Sequence, residues 1–348
     1  MLNLKCDIEI TSKNGAKIRF DYVNDIVVAT SCKNLTDTAV IRVPRKMAWK
    51  GRAITEFINR DDVVSIKIGY EEYGLETVFK GYISNVENSI PVVITCENEM
   101  RRFKMINVPA EKIEKFDLKE YIEKYGGVKV HTSDTLTFGG MDITEEMTLA
   151  QALDKIMQVY PYVRGYFQDG EFYAVLDPSR WGLDRKPIIF DPQRNMISDN
   201  LSYTRAEDVK IGIKAESILR DNTKLNAYAP EAAFDLKKGK DGSVTATIKN
   251  DYSQQQYYAP ECTTQADLQA YADKMAAEVI VDSMSGTFTA FGVPFVRKAD
   301  IVELRDIERK ERHKKRFVAE AVTYSFGTNG YHQAITLGNR IKYGGDDD

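Results

Sequence analysis

Histidine, cysteine and paired carboxylates are the side chains through which this chain could do chemistry, and they are sparsely placed. The three histidines, His131, His313 and His332, stand far apart, and none has a cysteine near it in sequence. A zinc site draws its ligands from closely spaced His and Cys, so no metal site is expected, only exposed or hydrogen-bonded histidines on strands. Cys6, Cys32, Cys96 and Cys262 form no CxxC pair. In so long a chain this points to buried free thiols and not to a disulfide framework. Neither a Gly-x-Ser-x-Gly elbow nor a His-Glu-x-x-His helix is present, and no Gly-rich loop could cradle a phosphate. The carboxylate pairs Asp61-Asp62, Glu71-Glu72 and Glu145-Glu146 fall in turns or just before a helix, where Glu145-Glu146 favours the helix dipole. A glycosidase dyad can be built from remote carboxylates, but among 52 acidic residues their mere presence carries no information. No catalytic residue, cofactor or metal ligand is therefore assigned.

One charged run stands out. Arg305 to Arg316 reads RDIERKERHKKR, in which Arg305, Arg309, Lys310, Arg312, Lys314, Lys315 and Arg316 face three acidic residues. Such a run can meet DNA phosphates or an acidic partner. Its mixed charge and lack of interleaved aromatics fit a solvated hairpin loop better, unless the chain forms a ring whose lumen the loop lines. A second stretch, Tyr252 with Gln254-Gln255-Gln256 and Tyr257-Tyr258, reads equally as an assembly surface rich in tyrosine or as an irregular connection before a helix.

The elements around these residues are mostly strands. Cys6-Ile8-Ile10 and Ile18-Phe20-Tyr22 alternate about Asn14-Gly15, the strongest short hairpin signal. Val40-Ile41-Val43 stops at Pro44, and 53–59 holds one helical turn. Val64-Ile66-Ile68, Val78 to Ile83 and Val92 to Ile94 continue the period of two. The middle differs. A short amphipathic helix carries Leu118, Tyr121 and Ile122 and ends at Gly126-Gly127. A clearer one starts at Thr148, with Gln151 completing a capping box, and runs through Leu149, Ala152, Leu153, Ile156, Met157 and Tyr160 to Pro161. A hairpin about Asp169-Gly170 follows. From about residue 200 strands return at Val209-Ile211-Ile213 and, after Asp241-Gly242, at Val244 to Ile248. A helix capped by Thr264 presents Leu268, Tyr271, Ala272, Met275 and Val279. The closing strands are Phe288 to Phe291, Ile301 to Leu304, Phe317 to Phe326 and Tyr331 to Leu337, the last pair joined at Asn329-Gly330. Gly139-Gly140 is read as a simple turn and 344–348 as a disordered tail. The fold class is mainly β (α+β). Two antiparallel β-barrel domains, 1–97 and 201–343, are expected to flank a small α/β subdomain at 98–200.

Composition bounds the rest. With 48 Lys and Arg against 52 acidic residues the net charge is −4, which argues against a dedicated polyanion binder. No apolar run reaches the ~18 residues of a membrane span. The opening MLNLKCDIEI lacks an apolar core after a basic stretch, so the chain is expected to fold in the cytoplasm where it is made.

Several of these segments, taken in order, resemble the phage tail hub or baseplate hub family, which includes late control protein D. The carriers are Gly69-Tyr70, Phe79-Lys80-Gly81-Tyr82-Ile83, the Cys96 to Lys104 strand end with its Met-containing helix, and Thr148 to Asp177. Thr263 to Leu268, Gly286-Thr287-Phe288, Gly292-Val293-Pro294, Asp300-Ile301-Val302-Glu303-Leu304 and Ile335-Thr336-Leu337-Gly338 continue the series. One departure is Arg297-Lys298-Ala299, where the family often has Pro-Gly. The resemblance implies a structural protein and not an enzyme. Three copies, each with two similar barrels, would form a pseudo-sixfold ring joining the tail tube to the central spike, with other baseplate proteins as neighbours and DNA passing through the lumen. It also implies a place in the tail of a virion, prophage or phage-like particle, assembled in the host cytoplasm. The alternatives are a tail-associated β protein that cleaves carbohydrate or peptidoglycan, which needs carboxylates of unequal pKa in a pocket, and a β-modular adhesin.

Overall fold

The structure, a computed structural model, describes residues 2–113, 116–132, 136–138, 141–143, 145–159, 163–175, 186–219, 223–238, 244–259, 262–280 and 283–341. Gly139-Gly140, the stop at Pro161, Asp241-Gly242 and the tail 344–348 lie outside the described residues.

The chain is mainly β and its large sheet is almost wholly antiparallel, as the alternating sequence requires. It divides into two compact units. One comprises Met1–Ile156, Val163–Leu201 and Ser285–Asp348, the other Met157–Tyr162 and Ser202–Met284.

The first unit begins with β1 (Leu4–Thr11), β2 (Lys17–Phe20), β3 (Asp25–Ser31), β4 (Thr38–Val43), the small pair β5 (Ala48–Trp49) and β6 (Arg52–Ala53), β7 (Val63–Tyr70), β8 (Gly74–Glu87) and β9 (Val92–Glu97). The hairpin expected at Asn14-Gly15 forms: Gly15 takes φ +82° and Ser12 N–H donates to Ala16 O at 2.9 Å. Ile8, Ile10, Ile41, Ile66, Ile68 and Ile94 are fully buried on the inward face, and each contributes about 1.5–3 kcal/mol of apolar burial.

Helix α1 (Met100–Phe103) opens the middle, followed by β10 (Asn107–Val108), β11 (Glu111–Ile113), β12 (Phe116–Asp117), α2 (Leu118–Gly126), β13 (Val130–His131), β14 (Thr137–Phe138), β15 (Met141–Ile143), β16 (Met147–Thr148) and α3 (Leu149–Val159). The capping box is as read. Thr148 N–H donates to Gln151 Oε1 at 2.9 Å, and Gln151 N–H donates to Thr148 Oγ1 at 3.3 Å. Strands β17 (Arg164–Gln168) and β18 (Glu171–Val175) meet at Asp169-Gly170, whose φ values of +54° and +88° suit a primed hairpin turn.

After β19 (Ile188–Phe190) and β20 (Met196–Thr204) the chain forms most of the second unit. Here β21 (Ile211–Ile218), β22 (Lys224–Ala229), the hairpin β23 (Phe234–Lys238) and β24 (Val244–Ile248), and β25 (Ser253–Tyr258) precede α4 (Gln265–Val279). Thr264 caps α4 by accepting from Asp267 N–H at 3.2 Å. Leu268, Ala272 and Met275 pack on Ile213, Ala215, Ala227 and Ala229, with Tyr271 and Val279 half-buried beside them. The Gln254–Gln256 stretch is no irregular connection: it is β25, paired in parallel with β21 at the edge of a three-stranded sheet.

Strands β26 (Ser283–Phe291), β27 (Ile301–Leu304), β28 (Lys315–Gly327) and β29 (Gly330–Ile341) complete the first unit's sheet. Its order is β2-β1-β7-β8-β9-β4-β3-β28-β29-β26-β20, with β27 on β28 and β19 on β27. The amino- and carboxy-terminal strands thus share one sheet, joined where β3 pairs β28. One edge of β28 serves two partners, β27 along Lys315–Val318 and β3 along Ala321–Gly327. The change falls at Ala319, where two register shifts against β29 let the strand bend.

Candidate assembly surface

All four cysteines are free and buried, as expected. Burial pushes the Cys6 and Cys32 thiols up to about 12 and raises Cys96 as well, so these three are not thiolate nucleophiles at neutral pH. His131 Nε2 lies 2.5 Å from Glu171 Oε2 and its ring stacks on Tyr173. Among the described residues no group of His, Cys, Asp and Glu could hold a metal ion, and no helix is long and apolar enough to cross a membrane.

A cleft of about 50 Å³ lies between β8, the β17–β18 turn and the loop before β27. That is room for a few ordered waters. Beside it sits the most buried charge pair among the described residues. Lys298 Nζ is 2.5 Å from Asp37 Oδ2, and the two side chains are 4% and 7% exposed. Asp37 also accepts from Ser31 N–H at 3.0 Å and from Asn98 Nδ2 at 3.3 Å. One carboxylate therefore ties together the β3–β4 loop, the end of β9 and the loop before β27. Burial pushes the Asp37 carboxyl up, against the pull of Lys298. At the departure noted in the sequence, Ala299 adopts φ +66°, the left-handed region that favours glycine, and its N–H donates to Ala319 O at 2.8 Å.

The basic run forms the loop between β27 and β28 and the first two residues of β28, and its seven basic side chains have different fates. Arg305 and Arg316 each donate at 2.8 Å to Glu303, a buried carboxylate on β27. Burial pushes the Glu303 carboxyl up, and the two arginine hydrogen bonds outweigh it, holding the group below the usual carboxylate range. Arg312 is buried, donating to Asp199 Oδ2 on β20 at 2.9 Å and lying 3.8 Å from Asp306. Asp306 in turn accepts the N–H groups of Glu308 and Arg309. Lys315 is half-buried, while Arg309, Lys310 and Lys314 are exposed, as is Ile307 at 83%. Arg305, Arg312 and Arg316 thus hold the loop and its closing strand in place, and Arg309, Lys310 and Lys314 face outward. The periodic signal that marks buried apolar residues does not exist for buried arginines, so the sequence offered no way to separate the two groups.

The strand that Arg312 secures, β20, was not read from sequence, because MISDNLSYT has no regular alternation. It is an edge strand bonded to β26, and Ile197, Ser198, Asp199 and Asn200 are exposed in succession. At the other end of the sheet β2 is short, and its Lys17 and Arg19 pair with Glu9 and Asp7.

No protein-family model matches the sequence, and no curated protein matches it. Solved structures do match its fold. A tail protein from Neisseria meningitidis MC58 superposes with a TM-score of 0.61 at 12% identity, covering 96% of this chain and 96% of that one. The 43 kDa tail protein of prophage MuSo2 from Shewanella oneidensis gives 0.60 at 12% identity, covering 96% and 98%. A component of the E. coli type VI secretion system, described as structurally similar to T4 bacteriophage tail proteins, gives 0.52 at 7% identity over 93% and 74%. The chain has the fold of phage tail proteins, which that secretion component shares. The resemblance read from Phe79 to Ile83, Cys96 to Lys104 and Asp300 to Leu304 is borne out at the level of fold.

Proposed function

We propose that this chain is a structural hub subunit of a phage-type tail. The observation that carries the reading is the match of nearly the whole chain to nearly the whole of two tail proteins. Three copies form a ring of pseudo-sixfold symmetry, each supplying barrels from 1–97 and 201–343 around 98–200. The tail tube binds one face and the central spike and other baseplate proteins the other, with DNA passing through the lumen. The ring belongs to the tail of a virion or phage-like particle and is assembled in the host cytoplasm. A sheet that already joins amino- and carboxy-terminal strands supports this, because edges that pair between chains extend it without burying unsatisfied backbone.

Mass photometry and negative-stain imaging of the purified protein test the reading, with a three-copy ring as the expected result. Cross-linking of protein from intact particles that yields dimers and nothing larger would overturn it. The protein is a scaffold without turnover: release of soluble glycan from peptidoglycan, lost on one carboxylate substitution, would overturn that part.

A further inference from the structure

We propose that the cleft between β8, the β17–β18 turn and the loop before β27 is a binding site for ordered water, which bridges the Lys298 ammonium to the Gln168 amide. The proposal stands independently of the tail reading.

An ammonium carries three N–H donors. Lys298 Nζ donates to Asp37 Oδ2 at 2.5 Å and, in a long bond of 3.4 Å, to Ser31 O. Among the described residues no third acceptor bonds it, although Lys298 is only 4% exposed. Gln168 presents the complementary case. Its Oε1 is buried and has no hydrogen-bond partner among the described residues. Most buried polar atoms in folded proteins are bonded to protein or to ordered water, so a buried donor and a buried acceptor that share a cleft point to a molecule able to serve both. Lys298 and Gln168 both line this one.

The two groups are also at a suitable separation. Lys298 Nζ stands 5.1 Å from the centroid of the Tyr166 ring. Successive side chains of a strand alternate, so Tyr166 and Gln168 share a face of β17. Gln168 therefore lies about 7 Å further along the strand, a gap that one or two waters span. The cleft volume of about 50 Å³ holds about three waters. Thr30 lines it too, and its hydroxyl donates to Val322 O at 3.0 Å, which leaves the oxygen lone pairs to accept from a water.

The lining does not favour an ion. Lys80, Arg297 and Lys298 are balanced by Asp37, Glu99 and Asp169. A cation would face the buried ammonium, and an anion would face the Asp37 carboxylate and the Gln168 oxygen. Water accepts from Lys298 and donates to Gln168 without adding charge. It thereby ties the β17–β18 hairpin to the loop before β27 and keeps the Lys298–Asp37 pair partly hydrated, which lessens the cost of burying two charges.

A high-resolution crystal structure of the wild-type protein should show water bonded to Lys298 Nζ and, directly or through a second water, to Gln168 Oε1. A direct bond between the two side chains, an ion in the cleft, or a cleft filled by side chains would overturn the proposal. Stability gives an independent reading with a definite sign. Gln168→Leu removes the acceptor of the water and leaves the third Lys298 hydrogen unpaired, so the urea midpoint should fall. Were Oε1 simply unpaired, its removal would leave the midpoint unchanged or raise it, and that result would overturn the proposal. Gln168→Leu and Lys298→Met remove groups that make no direct hydrogen bond to each other, yet their combined loss should be smaller than the sum of the separate losses, because one water network serves both. Strict additivity would overturn the bridge. If Lys298→Met does not fold, the crystal structure and the Gln168→Leu midpoint decide the question.

Discussion

Replacing Lys298 by Met removes one partner of a charge pair that is 4% and 7% exposed. Breaking a buried pair from one side costs about 3–5 kcal/mol, since the remaining charge is left uncompensated. Asp37 keeps the Ser31 N–H and the Asn98 amide, which places the loss near the lower bound, about 3 kcal/mol. Adding Asp37→Asn removes the stranded charge and keeps an oxygen for Ser31 N–H, so the double variant should recover about 1–2 kcal/mol. The pH dependence has a definite sign. Burial raises the folded-state value of Asp37, and without Lys298 only the weaker hydrogen bonds from Ser31 N–H and the Asn98 amide oppose it. A carboxyl raised on folding contributes stability that is fully present below its unfolded value of about 4 and is lost as pH rises through the folded value. Lys298→Met should therefore lose stability from about pH 4 upward, the wild type less so, and the double variant hardly at all. Urea unfolding followed by circular dichroism, at fixed pH values across this range, gives the midpoint and slope. A loss below about 1 kcal/mol, or a Lys298→Met protein that gains stability as pH rises, would refute the reasoning.

Three further outcomes follow from the same geometry. A Cβ on Gly292 would come within 1.9 Å of the Tyr331 ring, which is buried and packs on Tyr70. Gly292→Ala should therefore cost about 1–3 kcal/mol in chemical denaturation, and an unchanged midpoint would refute the contact. Glu303 is held below its usual range by Arg305 and Arg316, so its contribution is present above about pH 4.3 and lost as pH falls. Glu303→Gln should be less stable at pH 7 and show a flatter acid limb when unfolding is measured as a function of pH. Reversing the charge of the exposed Arg309, Lys310 and Lys314 together should leave stability within about 0.5 kcal/mol while particle assembly falls. Normal particle yield would count against a contact role for the loop.

What local sequence determines here is what local physics can enforce. Asn14-Gly15, Asp169-Gly170 and Asn329-Gly330 place hairpins where the structure has them, because only a few residue types take positive φ. Thr148 with Gln151 and Thr264 with Asp267 start α3 and α4, because a side chain three residues away reaches the free backbone groups. Apolar alternation marks β1, β7 and β9, whose inward residues are buried. Three features were decided by the tertiary structure alone. The pairing of β3 with β28 joins residues nearly 300 positions apart, and no local pattern encodes a register between distant strands. The division of the basic run into buried Arg312, Glu303-bound Arg305 and Arg316, and outward Arg309, Lys310 and Lys314 depends on where Asp199 and Glu303 lie in space. Strand β20 exists because β26 offers it a backbone edge. Its own side chains bury little, so the hydrophobic periodicity that reveals other strands has nothing there to mark.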